Sequence, residues 1–374
     1  MEILNEKSVL ISGASIAGLS AAYWMNKLGY RVTVVEIADT PRTGGTAVDF
    51  RDQAVDIIKR MGLYEQLKAN TLNLERIEFK TADDVTVNSH LLSNSEHEPA
   101  GEAIEIERTK LISILFKAVE QEVEFIFGDS ITALNETESH IQVTFKNGPT
   151  RQFDLVIGCD GSHSGVRKIW FGDEKEYSHY LGGYFSISIV NKLFISPNTM
   201  QFYNVPGKAY MLNAYQNKTD IVFCFLADEE IPYDYRNTGQ QREIIMEQIA
   251  GHGWRTAELL HEVAQAENFY FDKFCQIKMP SWTKGRVALI GDAAYCPSPA
   301  AGMGGSLALE GAATLADALQ QHNGNHEPAF AAYEQSLRPF IEQVQAEAEH
   351  NVTENFVPRT EEDIRKRNVE GFGL

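Results

Sequence analysis

Long apolar runs and paired cysteines are both missing from this sequence. No apolar run approaches the ~18 residues that a bilayer-spanning helix needs, and the first residues lack the basic and apolar segments of a secretion signal. The four cysteines are scattered and form no CxxC pair, which is typical of reduced buried thiols rather than of a disulfide framework or a zinc site. These absences predict a cytoplasmic protein with no membrane partner and no bound metal.

Positive charge is scarce as well. The chain has 33 Lys and Arg against 52 Asp and Glu, which gives a formal net charge of -19. So acidic a protein repels the phosphate backbone of nucleic acids and the surface of anionic membranes. Its 374 residues, of which 43% are hydrophobic, suffice to bury a large core. The composition therefore predicts a soluble globular protein whose partner is a small molecule and not a nucleic acid.

The N-terminal region of the sequence has the pattern of a strand, a helix and a second strand. A short apolar run at 8–12 precedes a turn of small residues, a helix from about 17 to 28 and a strand at 31–36. Such a turn lets the pyrophosphate of a dinucleotide approach the helix N-terminus, where unpaired amides favour negative charge. The small residues of this turn are Gly13, Ser15, Ala17 and Gly18.

A carboxylate at the end of the second strand strengthens this interpretation. Glu36 follows the turn at the spacing at which a carboxylate accepts hydrogen bonds from an adenosine ribose. A carboxylate in this place also disfavours a cofactor that carries a 2′-phosphate. The bound nucleotide is therefore expected to be FAD or NAD rather than NADP.

The segment at 153–167 repeats the arrangement of a buried strand before small residues. The strand at 153–159 ends in Asp160 and Gly161, and Arg167 follows shortly afterwards. On its own, this segment fits an ordinary strand and turn as well as it fits a ligand site.

A third segment again joins a strand to a helix through small residues. The strand at 286–290 brings Asp292 to the sheet edge where ligands bind in open α/β sheets. A glycine-rich turn then opens a helix at about 307–320, whose first amides would face an oxyanion. The residues of that turn with an expected ligand contact are Gly302, Met303 and Gly304.

Between 183 and 227 the pattern changes to period two. Phe185 and Ile187 alternate with Ser186 and Ser188, as in an antiparallel sheet with one face packed. Aromatic residues of this region suit a flat, partly apolar ligand, although core packing explains them nearly as well. The candidates for substrate contact are Phe185, Phe202, Tyr210 and Phe223.

Together these patterns predict an α/β protein. We expect a Rossmann-like FAD-binding domain with a parallel sheet, interwoven with an antiparallel-sheet substrate domain and a C-terminal helix. The domains are expected to interweave because the cofactor-type segments lie far apart in the chain. The predicted parts are 1–74, 107–175 and 279–322 for FAD binding, a sheet excursion at 75–106, a substrate domain at 176–278 and a helical region at 323–374.

With the three motifs in this order, the chain resembles the group A flavoprotein monooxygenases, the p-hydroxybenzoate hydroxylase-like family. The run from Gly44 to Asp49 is also similar to that of the tetracycline-inactivating monooxygenases. The resemblance implies that NADPH or NADH binds transiently and reduces FAD, and that O₂ then gives a flavin 4a-hydroperoxide. This species would hydroxylate an aromatic or polycyclic molecule. The resemblance also implies a monomer or weak homodimer and, for a tetracycline-like substrate, a role in antibiotic resistance.

The same resemblance assigns roles to individual residues. Gly13 to Gly18 and Glu36 would hold the ADP part of FAD, and Asp292 its ribityl and pyrophosphate region. Gly302 to Gly304 would lie against the flavin pyrimidine ring. The other implied FAD contacts are Gly45, Asp49, Arg108, Asp160 and Gly161, the last two shared with the nicotinamide cofactor, and Arg42 is the candidate for the NADPH phosphates.

Two other interpretations remain open at this point. One is another flavin enzyme of the same fold, a halogenase or a prenyl reductase, although no tryptophan lies in the Trp-x-Trp-x-Ile-Pro signature of flavin halogenases. The other is a non-catalytic protein that binds FAD or a ligand. Substrate-dependent oxidation of NAD(P)H would distinguish an enzyme from such a protein.

Overall fold

The computed structural model describes residues 7–41, 44–92 and 102–371, and its first large element is a six-stranded sheet. Its strands, in chain order, are β1 (Ser8–Ser12), β2 (Arg31–Glu36), β7 (Glu124–Phe127), β11 (Leu155–Gly158), β17 (Thr283–Lys284) and β18 (Val287–Leu289). In space they follow the order β17-β18-β11-β1-β2-β7, with all pairs parallel except the edge pair β17 and β18. Every residue of β1 and β11 is buried, as expected for parallel strands covered on both faces.

Helices and two small sheets complete this part of the molecule. The helix α1 packs against α4 and α9 beside the parallel sheet. The helices of this part are α1 (Ile16–Lys27), α2 (Asp52–Arg60), α3 (Tyr64–Lys68), α4 (Arg108–Lys117), α5 (Gly165–Trp170), α8 (Asp292–Tyr295), α9 (Gly304–Gln321) and α10 (His326–Asn351). The small sheets are formed by β3 (Val48–Phe50) with β6 (Ile104–Ile106), and by β8 (Ile131–Glu136), β9 (Ile141–Phe145) and β10 (Arg151–Phe153).

A seven-stranded sheet forms the second large element. Its strands are β4 (Arg76–Lys80), β5 (Thr86–Leu91), β12 (Ser178–Val190), β13 (Thr199–Val205), β14 (Lys208–Tyr215), β15 (Lys218–Leu226) and β16 (Asn268–Ile277). They lie in the order β16-β12-β15-β14-β13-β4-β5. All pairs are antiparallel except β4 with β13. Three more helices are α6 (Thr238–Ile249), α7 (Thr256–Gln265) and α11 (Glu361–Glu370).

The two faces of this sheet have different neighbours, because successive side chains of a strand point to opposite sides. We call one side the helix face; its Tyr184, Tyr210 and Phe223 form one core cluster with residues of α6 and α7. We call the other side the inner face. It carries Phe185, Ile187, Val222 and Met211, and it packs in part against Ala300 and the segment Val352–Phe356.

The structure is of the α/β class, with a parallel sheet, an antiparallel sheet and C-terminal helices. It confirms the predicted fold. Two details differ from the prediction. The strands β4 and β5 extend the seven-stranded sheet of the middle region, and helix α9 begins at Gly304, before the predicted start at 307. Residues 93–101 of the predicted sheet excursion at 75–106 lie outside the described residues.

Among the described helices, none combines the length and the apolar character that crossing a membrane requires. The described ranges likewise contain no group of three or more His, Cys, Asp or Glu placed to hold a metal ion. All four cysteines are buried free thiols.

Candidate flavin and substrate site

The turn between β1 and α1 is shaped by close backbone packing. Gly13 has a φ of +103°, and a Cβ there would lie 2.5 Å from the carbonyl oxygen of Cys159, so glycine alone fits. A Cβ at Gly18 would lie 1.8 Å from the Gly13 carbonyl oxygen. Ser15 is the N-cap of α1, but its side chain makes no capping hydrogen bond, and the first turn has no acidic residue. The first amides of α1 therefore favour an anionic group.

Glu36 lies directly beside this turn. Its Oε2 accepts a hydrogen bond from the backbone N–H of Ala14 at 2.7 Å, and its Oε1 accepts one from Ala38 at 3.0 Å. The carboxylate thereby fixes the turn against the end of β2. Its predicted contact with a ribose is compatible with this position, since each oxygen has a second lone pair.

Arg108 begins α4 and reaches the same turn. Its Nη2 donates a hydrogen bond to Ser15 Oγ at 3.2 Å. Gly45 lies against the same side chain, since a Cβ there would be 2.8 Å from Arg108 Cδ. Asp49 in β3 pairs with Arg51 at 2.9 Å, and burial raises the pKa of the Asp49 carboxyl. Arg42 lies outside the described residues.

Asp160 orders the turn that follows β11. Its Oδ1 accepts a hydrogen bond from Ser164 Oγ at 2.5 Å, and its Oδ2 accepts one from the N–H of Val166 at 3.0 Å. Burial raises the pKa of Asp160, while the bond from Ser164 opposes this effect. At the adjacent Gly161, no atom of the described residues other than its chain neighbours lies within 4 Å of a Cβ position, so this backbone has room for a ligand.

Asp292 and the glycine-rich turn lie at the end of the neighbouring strand, β18. Asp292 begins α8; burial raises the pKa of its carboxyl, and the positive charge of Arg108 opposes this. Gly302 adopts a left-handed φ of +65° with open space on its side-chain face. Met303 is the N-cap of α9, which begins at Gly304 with no side-chain cap and no acidic residue in its first turn.

The three motifs therefore converge on one edge of the parallel sheet. The strands β1, β11 and β18 are neighbours, and their carboxyl ends carry the three turns. Two uncapped helix N-termini, the arginine Arg108 and the partly buried carboxyl of Asp292 lie at this edge. This donor set fits FAD. Anionic phosphates and electron-rich ring oxygens suit the helix starts, and a carboxylate suits sugar hydroxyls.

The inner face of the seven-stranded sheet adjoins this edge. Phe185 belongs to one core cluster with Ala300, which lies in the turn just before Gly302. Further along the face, Ile187, Val222 and Met211 stand side by side across three strands. Ile187 and Met211 are only partly buried. The inner face thus offers an apolar strip beside the glycine-rich turn.

Comparison with known proteins agrees with this geometry. Residues 6–348 match the family described as FAD binding domain. A flavin-dependent monooxygenase from an unknown prokaryotic organism is 34% identical over 378 residues, which cover 99% of this chain and 96% of that relative. The crystal structure of tetracycline destructase Tet(55) matches with a TM-score of 0.86 at 33% identity, over 98% of this chain and 95% of that one.

The chain belongs to the FAD-binding family of flavin-dependent monooxygenases. FAD is accordingly its cofactor, as predicted. The structure of Klebsiella pneumoniae HpxO complexed with FAD and uric acid shares the fold, with a TM-score of 0.75 at 19% identity over 98% of this chain and 93% of that one.

The structure separates the four residues proposed to contact the substrate of this monooxygenase. Phe185 and Phe202 lie on the inner face, but Phe202 is covered by Phe79 and by the guanidinium of Arg367, 5.7 Å from its ring. Tyr210 and Phe223 lie on the helix face and are fully buried, and Tyr210 Oη donates to the carbonyl of Ile249 at 3.2 Å. Tyr210 and Phe223 therefore pack beneath α6 and α7, away from the inner face.

Two titratable clusters were missed by the sequence reasoning. His163 hydrogen-bonds through Nδ1 to Glu174 at 3.1 Å and through Nε2 to Asp272 at 3.2 Å. Burial alone would lower the pKa of His163, but these two carboxylates outweigh it and raise the pKa to about 9. The second cluster surrounds Asp220 in β15. The sequence shows only a carboxylate beside the apolar run of β15, and its position on the inner face follows from the strand pairing.

Proposed function

We propose that this monooxygenase uses NADPH or NADH and O₂ to hydroxylate an aromatic or polycyclic small molecule. The observation that carries the proposal is the apolar strip of Ile187, Val222 and Met211 beside the turn that leads to Gly302. A flat substrate on this strip would lie between the sheet and the flavin. The likeness to tetracycline destructase Tet(55) makes tetracycline-type antibiotics the first class to test, with antibiotic resistance as the corresponding role.

Most of the proposed site residues bind the cofactor, and the cofactor carries out the chemistry. FAD, when bound, supplies the redox and oxygen chemistry. The first amides of α1 and α9 would hold its anionic groups, Arg108 would add positive charge, and Asp292 would hold hydroxyl groups of its ribityl chain. The remaining proposed contacts are Gly13, Ser15, Ala17, Gly18, Glu36, Gly45, Asp49, Asp160, Gly161, Gly302, Met303 and Gly304, with Arg42 proposed for the NADPH phosphates.

The nicotinamide cofactor is proposed to bind transiently, without a domain of its own. The part of the chain that the structure describes has one dinucleotide turn, at the start of α1, and we assign that turn to FAD. We also propose that the enzyme acts in the cytoplasm as a monomer or weak homodimer. Four buried cysteines without a disulfide support a reducing compartment.

The test is oxidation of NADPH and of NADH by the purified FAD-loaded protein with a panel of phenols and tetracyclines. Substrate-dependent oxidation with a product heavier by one oxygen atom supports the proposal, and ¹⁸O₂ identifies the oxygen source. Oxidation that no panel member accelerates, with no oxygenated product, would favour the non-catalytic alternative. Chlorination of a substrate in the presence of chloride would instead favour a halogenase.

A further inference from the structure

Asp220 is a carboxyl group on the inner face that lies next to the apolar strip. Asp220 is two residues from Val222 in β15, and its side chain leaves the sheet on the same side. It pairs across the sheet with Ile189 in β12 and with Asn213 in β14. Asp220 is fully buried and Asn213 is 7% exposed. A polar pair thus adjoins the strip on which the substrate is proposed to lie.

The two oxygens of Asp220 have different surroundings. Oδ1 accepts a hydrogen bond from Tyr215 Oη at 2.9 Å. Oδ2 is buried and has no hydrogen-bond partner in the described ranges 7–41, 44–92 and 102–371. A buried carboxylate oxygen without a donor is destabilising. Such a group in a native protein calls for an explanation, and a ligand that supplies the missing donor is one.

Neighbouring charges do not satisfy this carboxyl group. Lys218 is the nearby cation, but its Nζ is 2.5 Å from Glu107 Oε1. Burial raises the pKa of Asp220 to about 7; the hydrogen bond from Tyr215 and the charge of Lys218 oppose the rise, and Glu107 and Glu105 add to it. Any group that donates a hydrogen bond to Asp220 Oδ2 would therefore stabilise the site.

We propose that Asp220 Oδ2 accepts a hydrogen bond from a hydroxyl group on the substrate, so that the site selects phenols and enols over their ethers. The ring system lies over Ile187, Val222 and Met211, and the hydroxyl group points along β15 toward Asp220. Asn213, directly opposite, provides an amide for a neighbouring oxygen of the substrate. The location of the substrate rests on the proposed function, whereas the selectivity for a hydroxyl donor is additional to it.

Binding to the oxidised FAD-loaded protein tests this without turnover. The probes are 1-naphthol and 1-methoxynaphthalene, in which a methyl group replaces the hydroxyl proton. Binding is followed by the change in flavin absorbance. We expect the wild type to bind 1-naphthol at least ~10-fold more tightly, because a site built around a hydroxyl rejects analogues that lack it. In Asp220→Asn, with Oδ1 still bound to Tyr215, an N–H replaces Oδ2. It serves a hydroxyl and an ether oxygen equally, so the preference should fall below about 2-fold.

Ser188→Ala is the matched control. Ser188 is also fully buried with an oxygen that has no partner in the described residues, but it lies on the helix face of β12. This variant should keep the wild-type preference for 1-naphthol. An equal loss of preference in Ser188→Ala would indicate a general effect of the substitution and overturn the role of Asp220.

Stability provides a second readout that needs no ligand. Since Asp220→Asn removes a buried carboxylate whose Oδ2 is unpaired, the melting temperature of the FAD-loaded variant should equal or exceed that of the wild type. A fall of more than about 5 °C would show a structural role and overturn the proposal. Wild type that binds both probes equally, or neither, would overturn it as well.

The outcomes distinguish this proposal from the proposed function. Hydroxyl-dependent binding without any oxygenated product would leave the role of Asp220 intact and remove the hydroxylase activity. Product formation from 1-naphthol and 1-methoxynaphthalene at equal efficiency would support the hydroxylase and overturn the role of Asp220.

Discussion

Val222 and Phe223 are neighbours in β15 whose side chains leave the sheet on opposite sides. Val222 shares the inner face with Phe185 and Ala300. Phe223 is fully buried on the helix face, where its ring meets Tyr210 at a centroid distance of 5.5 Å. One position in the sequence thus separates a residue of the inner face from a residue of the helix face.

This difference gives a prediction with its control in the adjacent residue. Phe223→Ala should lower the free energy of unfolding by about 3–5 kcal/mol, because it leaves a cavity in a packed cluster. It should not change the ranking of substrates. Val222→Ala should cost less stability and should change that ranking. Thermal melts beside product assays measure both, and a changed ranking in Phe223→Ala alone would contradict the assignment of the faces.

Asp292 gives a second prediction at the scale of one residue. Asp292→Ala should greatly reduce the FAD retained through purification, because it removes the carboxyl placed between β18 and the glycine-rich turn. The measurement is flavin absorbance per protein. Asp317→Ala is the control, since Asp317 is an exposed carboxylate of α9 that pairs with Arg60. A folded Asp292→Ala protein with full flavin occupancy would remove this role.

At the scale of elements, His163 joins the turn before α5 to the edge strand β16. The imidazole lies between Glu174 and Asp272, and it stacks on Tyr235 with a centroid distance of 4.4 Å. Asp272 also accepts hydrogen bonds from Tyr233 at 2.6 Å and Tyr270 at 2.9 Å. One charged side chain thus holds the FAD-binding region against the seven-stranded sheet.

The pH dependence of stability follows from this bridge. The pKa of His163 is raised to about 9 in the folded protein, above its ordinary 6.5. Its contribution is therefore fully present below about pH 6.5 and is lost as the pH rises through 9. His163→Gln should destabilise the protein by on the order of 2 kcal/mol at pH 6.5 and by much less at pH 9.5. Denaturant melts at both pH values test this.

The exposed His261 of α7 supplies the control for that experiment. In His261→Gln, the free energy of unfolding should differ between pH 6.5 and pH 9.5 by the same amount as in the wild type. A His163→Gln protein with the same pH dependence as the wild type would show that the bridge does not contribute.

Local pattern was enough to predict most elements of the fold. The buried strands of the parallel sheet and the period-two strand at Phe185 were predicted because each shows its pattern, a short apolar run or an alternation, within a few consecutive residues. The pairing of β4 with β13 was not predicted, because it joins residues more than a hundred positions apart. The faces of Tyr210 and Phe223 were also missed, since aromatic residues suit a core and a ligand pocket equally well.

For the site, small residues and carboxylates at strand ends were sufficient to locate the three motifs. Asp220 and the partners of His163 were not found, because their significance depends on what lies opposite them across the sheet or in a distant segment. Asp272, for example, is 109 residues from His163. Burial and an absent hydrogen-bond partner are properties that only a folded chain has.

At the scale of the whole molecule, the two large sheets are interleaved along the chain. The seven-stranded sheet takes β4 and β5 from one excursion and the remaining five strands from another. The strands of the parallel sheet lie before, between and after these excursions. Neither sheet is therefore a continuous piece of chain that could fold alone.

We accordingly expect one cooperative unfolding transition in calorimetry. Added FAD at 100 times its Kd should stabilise the protein by about 2.7 kcal/mol, because it binds the folded state. The transition should move to a higher temperature as a whole. Two resolved transitions, of which FAD moved one, would contradict this expectation.

The alternation of faces in β12, β14 and β15 also has a consequence for the directed evolution of this enzyme. Inner-face positions such as Ile187, Met211 and Val222 can be randomised together, while the helix-face residues that alternate with them along each strand are kept. A combinatorial library built in this way should explore new substrates and retain a high proportion of folded clones. A library over consecutive residues of the same strands would mutate the packing against α6 and α7 in nearly every member and lose most of its diversity to misfolding.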